Sequence, residues 1–323
     1  MVIATLRRVL ARVPERATCV CARHATVAGP GVIPSALAVA SNRRGACYAA
    51  AIAPDGASAV CLGRNVVLWD TARTQRLASA HPLSHPSHVA FAPSGREIAV
   101  KNTSGECAVL DATSLEVVGR LGGTEFGEGS PLAFTDDGTL IDGSWTGWLL
   151  ARDVTTGEVL FREGLRRMIT ELTSSPDRRV FVYSEALRGA DGYDAPVVRM
   201  RRWPFSAHEP VTLCESRSRV GALAVEGDLL AAVIDDELQI RSLIGGEVIA
   251  RREVLPSGGR AVVWWPDTDR LLVADDGRFM LLDGSLEELW ALDAEYSCDV
   301  AVSSDGTRAL LACWDQSFMV KPV

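Results

Sequence analysis

The sequence predicts an all-β chain, built from seven copies of one antiparallel sheet unit closed into a ring. Three observations predict it. A turn marker recurs at Asp55-Gly56, Ser94-Gly95, Asp137-Gly138, Asp177-Arg178, Glu226-Gly227, Asp267-Thr268 and Asp305-Gly306, with successive intervals of 39, 43, 40, 49, 41 and 38 residues. A period of about 40–45 residues is that of a four-stranded propeller blade. Short apolar runs flank each marker, and their mixed pattern suits sheets packed on both faces. One such sheet cannot bury both faces alone, whereas a closed ring of them can. The last unit has room for only three strands, and a spare strand-like run stands near the N-terminus. The prediction is a seven-bladed β-propeller of four-stranded antiparallel blades over residues 35–323, closed by an N-terminal strand.

The elements follow in order. In residues 1–34, Ile3, Leu6, Leu10 and Val13 make a helical stripe that Pro14 would end, so a short capping helix is expected there. Residues 35–40 are the spare strand. The first unit reads AIAPDGASAVCL from Ala51 to Leu62, two strands joined by a tight turn. Proline and glycine supply the fixed and permissive φ angles such a turn needs. VAFAPSGREIAV (89–100) and AVSSDGTRALLA (301–312) repeat that plan. The final repeat offers strands at 299–303, 308–313 and 318–323, and without residues 35–40 it would keep an open edge.

The phrases FAPSGREIAV and VVLWDTARTQRL resemble degenerate, bacterial-style WD-repeat sequence, over about residues 47–323. In that family a Trp-Asp pair commonly ends the third strand of a blade, and Trp69-Asp70 matches the position. Leu110-Asp111, Arg152-Asp153 and Leu282-Asp283 keep the aspartate, while Arg202-Trp203 and Arg241-Ser242 do not. Trp314-Asp315 falls at the end of a second strand instead. His88 corresponds to the family's Gly-His position, with Ser87 in place of the glycine. The resemblance implies strands a to d running outward from a central channel, with b–c turns and d–a links on one face. It also implies a rigid, non-enzymatic scaffold that binds another protein and carries no cofactor.

The composition limits the chemistry. A net charge of −8 disfavours nucleic acid as the main partner. No run approaches the roughly 18–20 apolar residues that span a bilayer, and arginines interrupt the apolar start, which makes a poor signal peptide. The eight cysteines do not form the framework of a small secreted domain. A reduced, cytoplasmic protein is expected. Lys101 and Lys321 are the only lysines, so lysine-dependent mechanisms have little to run on. Neither follows a glycine-rich run, and no Gly-x-Ser-x-Gly or His-Glu-x-x-His motif occurs.

Cys19, Cys21 and His24 form an incomplete zinc set, and their alternation reads equally well as a strand. His81, His85 and His88 stand close in sequence, but two prolines extend the path between them, and no metal site is expected. Asp136-Asp137, Asp235-Asp236 and Asp275-Asp276 fall where turns are expected, and turns favour aspartate for its own backbone hydrogen bonds. The alternative function is a propeller hydrolase, or lactonase-like enzyme, with channel carboxylates.

One unit departs from the average. The 49-residue interval carries its excess at residues 184–196, between strands b and c of the fourth blade. Insertions in repeat proteins map to loops and often mark the binding face. On that face the resemblance also places Trp145, in a Gly-Ser-Trp-Thr-Gly turn, and the pair Arg166-Arg167. Together with Tyr193 of the insertion they are the expected partner-binding residues, since Trp, Tyr and Arg are enriched at hot spots. The basic pair favours an acidic partner. The bland reading is that Trp145 packs on a neighbouring turn and the arginines are simply solvated.

Overall fold

The computed structural model describes residues 36–40, 47–121, 131–188, 193–253, 261–275, 277–294, 296–314 and 317–321. The expected capping helix and the Cys19, Cys21 and His24 set lie outside them. The described strands form seven four-stranded antiparallel sheets. Blade one is β2 (Ala49–Ile52), β3 (Ser58–Leu62), β4 (Val66–Asp70) and β5 (Gln75–Ala80). Blade two is β6 (Pro86–Phe91), β7 (Glu97–Asn102), β8 (Cys107–Asp111) and β9 (Val117–Leu121). Blade three is β10 (Ala133–Phe134), β11 (Leu140–Gly143), β12 (Trp148–Arg152) and β13 (Val159–Gly164). Blade four is β14 (Met168–Ser174), β15 (Val180–Arg188), β16 (Tyr193–Arg202) and β17 (Val211–Glu215). Blade five is β18 (Val220–Glu226), β19 (Leu229–Ile234), β20 (Glu237–Ser242) and β21 (Val248–Glu253). Blade six is β22 (Ala261–Trp264), β23 (Leu271–Asp275), β24 (Arg278–Leu282) and β25 (Glu288–Asp293). Blade seven is β26 (Ser297–Val302), β27 (Ala309–Cys313), β28 (Ser317–Lys321) and, as its outer strand, β1 (Ala36–Ala40).

Closure is therefore as expected. β1 runs antiparallel to β28 in unbroken register, from Ala36 opposite Lys321 to Ala40 opposite Ser317. The first strand of blade one, β2, lies beside both β6 and β26, so the innermost strands complete the ring. The seam is further tied by the Cys47 N–H, which donates to the Cys313 carbonyl at 3.1 Å. The carboxylate of Asp299 accepts the Ala50 N–H at 2.8 Å across the same seam.

Among the described residues the core is divided into seven apolar clusters, one at each blade interface. Strand alternation produces this division. Along β19, Leu230, Ala232 and Ile234 pack toward blade four, while Ala231 and Val233 pack toward blade six. Successive side chains of a strand point to opposite faces, so an unbroken apolar run serves two interfaces at once. One buried ion pair interrupts this pattern. Lys101 on β7 is 1% exposed, and its ammonium donates to Asp142 Oδ1 at 2.6 Å and to the Gly143 carbonyl at 2.5 Å. It joins blade two to blade three.

The repeated aspartates cap turns. In a–b turns, Asp55 accepts the Ala57 N–H, Asp137 that of Thr139, Asp177 that of Arg179 and Asp305 that of Thr307. In c–d loops, Asp70, Asp111, Asp153 and Asp283 accept backbone N–H groups two to four residues onward. In blade five Ser242 does the same work, its hydroxyl oxygen accepting the Ile244 N–H. The sequence period is thus the period of these side-chain-closed turns.

Candidate functional site

Antiparallel order puts all a–b turns and c–d loops on one face and all b–c turns and d–a links on the other. The second face carries the departure from the average repeat. The excess of blade four is an extension of β15 and β16, which stay paired out to Leu187 opposite Asp194 and Arg188 opposite Tyr193. The insertion expected as a loop is, in its described part, a hairpin that outruns its neighbours. β14 pairs with β15 only as far as Ala186, and β17 pairs with β16 only from Val197. The end of the hairpin therefore stands beyond the blade.

Two d–a links brace its base. From the blade-three side, the Arg167 guanidinium donates to the Ala195 carbonyl at 2.9 Å. From the blade-four side, the Ser216 N–H donates to the Pro196 carbonyl at 2.8 Å. The first link is held by the blade-three b–c turn, where the Leu165 N–H donates to the Gly147 carbonyl at 2.7 Å and the Ile169 N–H to Ser144 at 3.0 Å. Gly147 has φ +87°, and a Cβ there would lie 2.9 Å from the Arg167 carbonyl oxygen. The second link is held by Asp235 of the blade-five b–c turn, which accepts the N–H groups of Arg217 and Ser218 and the Ser216 hydroxyl.

Three of the four expected residues, Trp145, Arg166 and Arg167, neighbour one another in backbone terms. Trp145 sits half-buried in the b–c turn that touches the Arg166-Arg167 link, and Tyr193 opens β16 two residues before Ala195. The structure separates the two arginines. Arg167 is turned inward as a brace, while Arg166 is exposed, with φ +56°, and has no ion-pair partner among the described residues. Sequence reasoning missed Arg217, the exposed arginine of the next d–a link. ESRSRV (215–220) stands in blade four where EGLRRM (163–168) stands in blade three, and each holds two arginines, but Arg217 falls opposite Leu165.

The channel side is different. His88, Glu171 and Asp299 each follow a bulge at the start of an innermost strand, in blades two, four and seven. Burial pushes His88 down to about 3, with the Lys101 charge adding to the effect. Burial lifts Asp299 to about 7, against the opposing pull of the Ala50 and Val300 N–H groups. Glu171 is held well above the usual carboxylate range by burial and by the charge of Asp299. Both carboxyls are thus held above the usual carboxylate range. On the turn face, a polar cleft of about 340 Å³ between blades two and three is lined by Arg96, Glu97, Asp136, Asp137 and Asp153 among others. Its aspartates are engaged within their own turns or with Arg179.

Among the described residues, no group of three or more His, Cys, Asp or Glu side chains is arranged to hold a metal ion. His81 bonds the Arg64 carbonyl and His88 its neighbour Ser87, so the three histidines do not converge. No helix among those residues is long and apolar enough to cross a membrane.

No family model matches the chain, and no curated protein matches it. Solved structures do. The RRP9 WD40 repeats align with a TM-score of 0.75 at 13% identity, covering 91% of this chain and 100% of that one. U3-55K aligns with a TM-score of 0.74 at 14% identity, covering 90% and 100%. At such identity the likeness shows the fold, a WD40-type propeller, and the site must be argued from its own residues.

Proposed function

We propose that this chain is a non-catalytic interaction scaffold whose b–c and d–a face docks a protein partner in a reducing, cytoplasmic setting. The observation that carries the reading is the braced blade-four hairpin. Its base is bonded by Arg167 and stands beside the link that carries Arg166 and the turn that carries Trp145, while Tyr193 pairs with Arg188 at the outer end of its described part. Rigid presentation lowers the ordering cost of binding, and Trp, Tyr and Arg supply the residue types that anchor interfaces. The test is partner capture from native extract with Trp145→Ala and Arg166→Ala, identified by mass spectrometry. Each substitution is expected to weaken binding by about 1–2 kcal/mol. Melting should stay nearly unchanged, and Arg73→Ala in the first c–d loop of the opposite face should do little. Unfolding of Trp145→Ala would make that tryptophan core and remove the patch.

A second reading, a hydrolase of the channel, is favoured by Glu171 and Asp299, whose shared field suits one protonated carboxyl. Ester or lactone hydrolysis lost in Glu171→Gln with unchanged melting would support it.

A further inference from the structure

We infer that the hairpin base is a two-pronged clamp for an extended acidic segment of a partner protein, with Arg166 and Arg217 as the prongs. The inference rests on the reading of this face as the docking surface and names what that surface recognises.

The geometry starts from consecutive residues. Ala195 is bonded from the blade-three link and Pro196 from the blade-four link, so the two links flank the same strand, β16. Each link leaves one arginine outside. Arg166 and Arg217 are both exposed, and neither has a side-chain hydrogen bond or ion pair among the described residues. The other arginines of these links are committed, Arg167 to the Ala195 carbonyl and Arg219 to Asp236 at 3.5 Å. Both links also have their backbones fixed. Asp235 takes up the amides around Arg217, and the Leu165 and Ile169 N–H groups on either side of Arg166 and Arg167 bond the Gly147 and Ser144 carbonyls. Two arginines thus extend from bonded stretches of backbone, and neither guanidinium has an internal anion among the described residues. A guanidinium matches a carboxylate with two parallel N–H groups.

The surroundings choose the class of anion. Asp194, next to Ala195 in β16, and Glu215, two residues before Arg217, are both exposed, so a continuous phosphate backbone would meet repulsion there. A polypeptide can place a carboxylate at each prong and neutral residues between. Leu187, 42% exposed on the hairpin, and the half-buried Trp145 give those neutral residues an apolar footing. The occupant is therefore an extended segment with two carboxylates separated by a few residues, at least one of them apolar.

The experiment is fluorescence anisotropy with the full chain and three labelled probes. These are a Glu/Gly/Leu decapeptide, its Lys-for-Glu counterpart and a ten-nucleotide single-stranded DNA. The acidic peptide is expected to bind and the basic one not. Arg166→Ala and Arg217→Ala should each weaken binding about five- to tenfold, with Arg217→Lys partly restoring it and Arg73→Ala leaving it unchanged. The affinity should fall with added salt. Absence of acidic-peptide binding up to about 1 mM, indifference to Arg217→Ala, or tighter arginine-dependent binding of the DNA each overturns the clamp. The docking reading fails separately, when Trp145→Ala leaves capture of the native partner unchanged. Loss of capture in Trp145→Ala alongside a failed peptide assay leaves the face standing and removes the clamp alone.

Discussion

At the residue scale the buried polar groups join elements far apart in sequence. Lys101 and Asp142 stand 41 residues apart, and Asp299 and Ala50 stand 249 apart. Lys101→Met should destabilise the protein by about 3–5 kcal/mol, because Asp142 keeps an uncompensated charge inside. Adding Asp142→Leu should recover much of that loss, and denaturant melts of both variants check the order. Asp299 makes a pH prediction. Its folded-state value of about 7 lies above the ordinary carboxyl range, so the folded protein holds the proton more firmly than the unfolded chain does. The resulting stability is fully present below about pH 4 and is lost as pH rises toward about 7. Asp299→Asn keeps an acceptor for the Ala50 N–H and cannot ionise. It should therefore gain on the wild type between pH 4 and 7.5, by about 1–2 kcal/mol, since the partial exposure of Asp299 moderates the full shift. A constant difference across that range would show that Asp299 does not titrate there. None of these contacts was legible in the sequence. Lys101 sits in the run EIAVKN, where an exposed position and a buried one read alike, and only the neighbouring blade decides between them.

At the element scale the sequence was most readable where a side chain closes its own turn. The Asx, Ser and Thr turns at six of the seven markers lie within a few residues of the groups they bond, so they recur in the sequence as well as in space. The blade-four excess was equally visible, but its form was not. Pairing from Leu187 opposite Asp194 to Arg188 opposite Tyr193 depends on register, and register follows from the strands around it. The roles of Arg166 and Arg167 were likewise indistinguishable until Ala195 was placed beside one of them. This separation makes a prediction. Arg167→Ala should loosen the hairpin, which faster amide exchange at residues 186–188 and 193–195 would register, whereas Arg166→Ala should leave exchange unchanged. Gly147→Ala should act as Arg167→Ala does and cost about 1–3 kcal/mol. A Cβ at that positive φ would approach the Arg167 carbonyl to 2.9 Å, and backbone cannot give way as a side-chain tip can. Equal exchange in Arg166→Ala and Arg167→Ala would contradict the brace.

At the scale of the whole molecule, the ring is held by seven interfaces of similar build, and one blade is assembled from both ends of the sequence. Blade seven takes three strands from residues 297–321 and its outer strand from Ala36–Ala40. The resemblance at Trp69-Asp70 and the missing fourth strand of the last repeat were enough to anticipate that closure, because an unpaired strand in the last blade would leave an open edge. Closure has a cost in folding, since β1 and β28 must meet across nearly the whole chain, and non-local pairing is slow. It has a benefit in stability, since opening the ring exposes the seam cluster of Cys47, Ala50, Ala59, Cys61, Leu310 and Met319. Deleting residues 1–42 removes β1 and leaves β28 with an unpaired edge, which is a template for association between copies. That deletion should lower the melting temperature and produce aggregates in light scattering, while deletion of residues 1–16 should leave both unchanged. The loss should also reach the seam. Cys47 and Cys61 are 4% and 6% exposed in the closed ring, so a thiol reagent should modify them slowly in the full chain and rapidly in the 1–42 deletion. Cys107, buried between blades two and three, should stay protected in both. A deletion that remains monomeric with its seam thiols still protected would mean that the ring closes through β26, β27 and β28 alone, with β1 only laid against it.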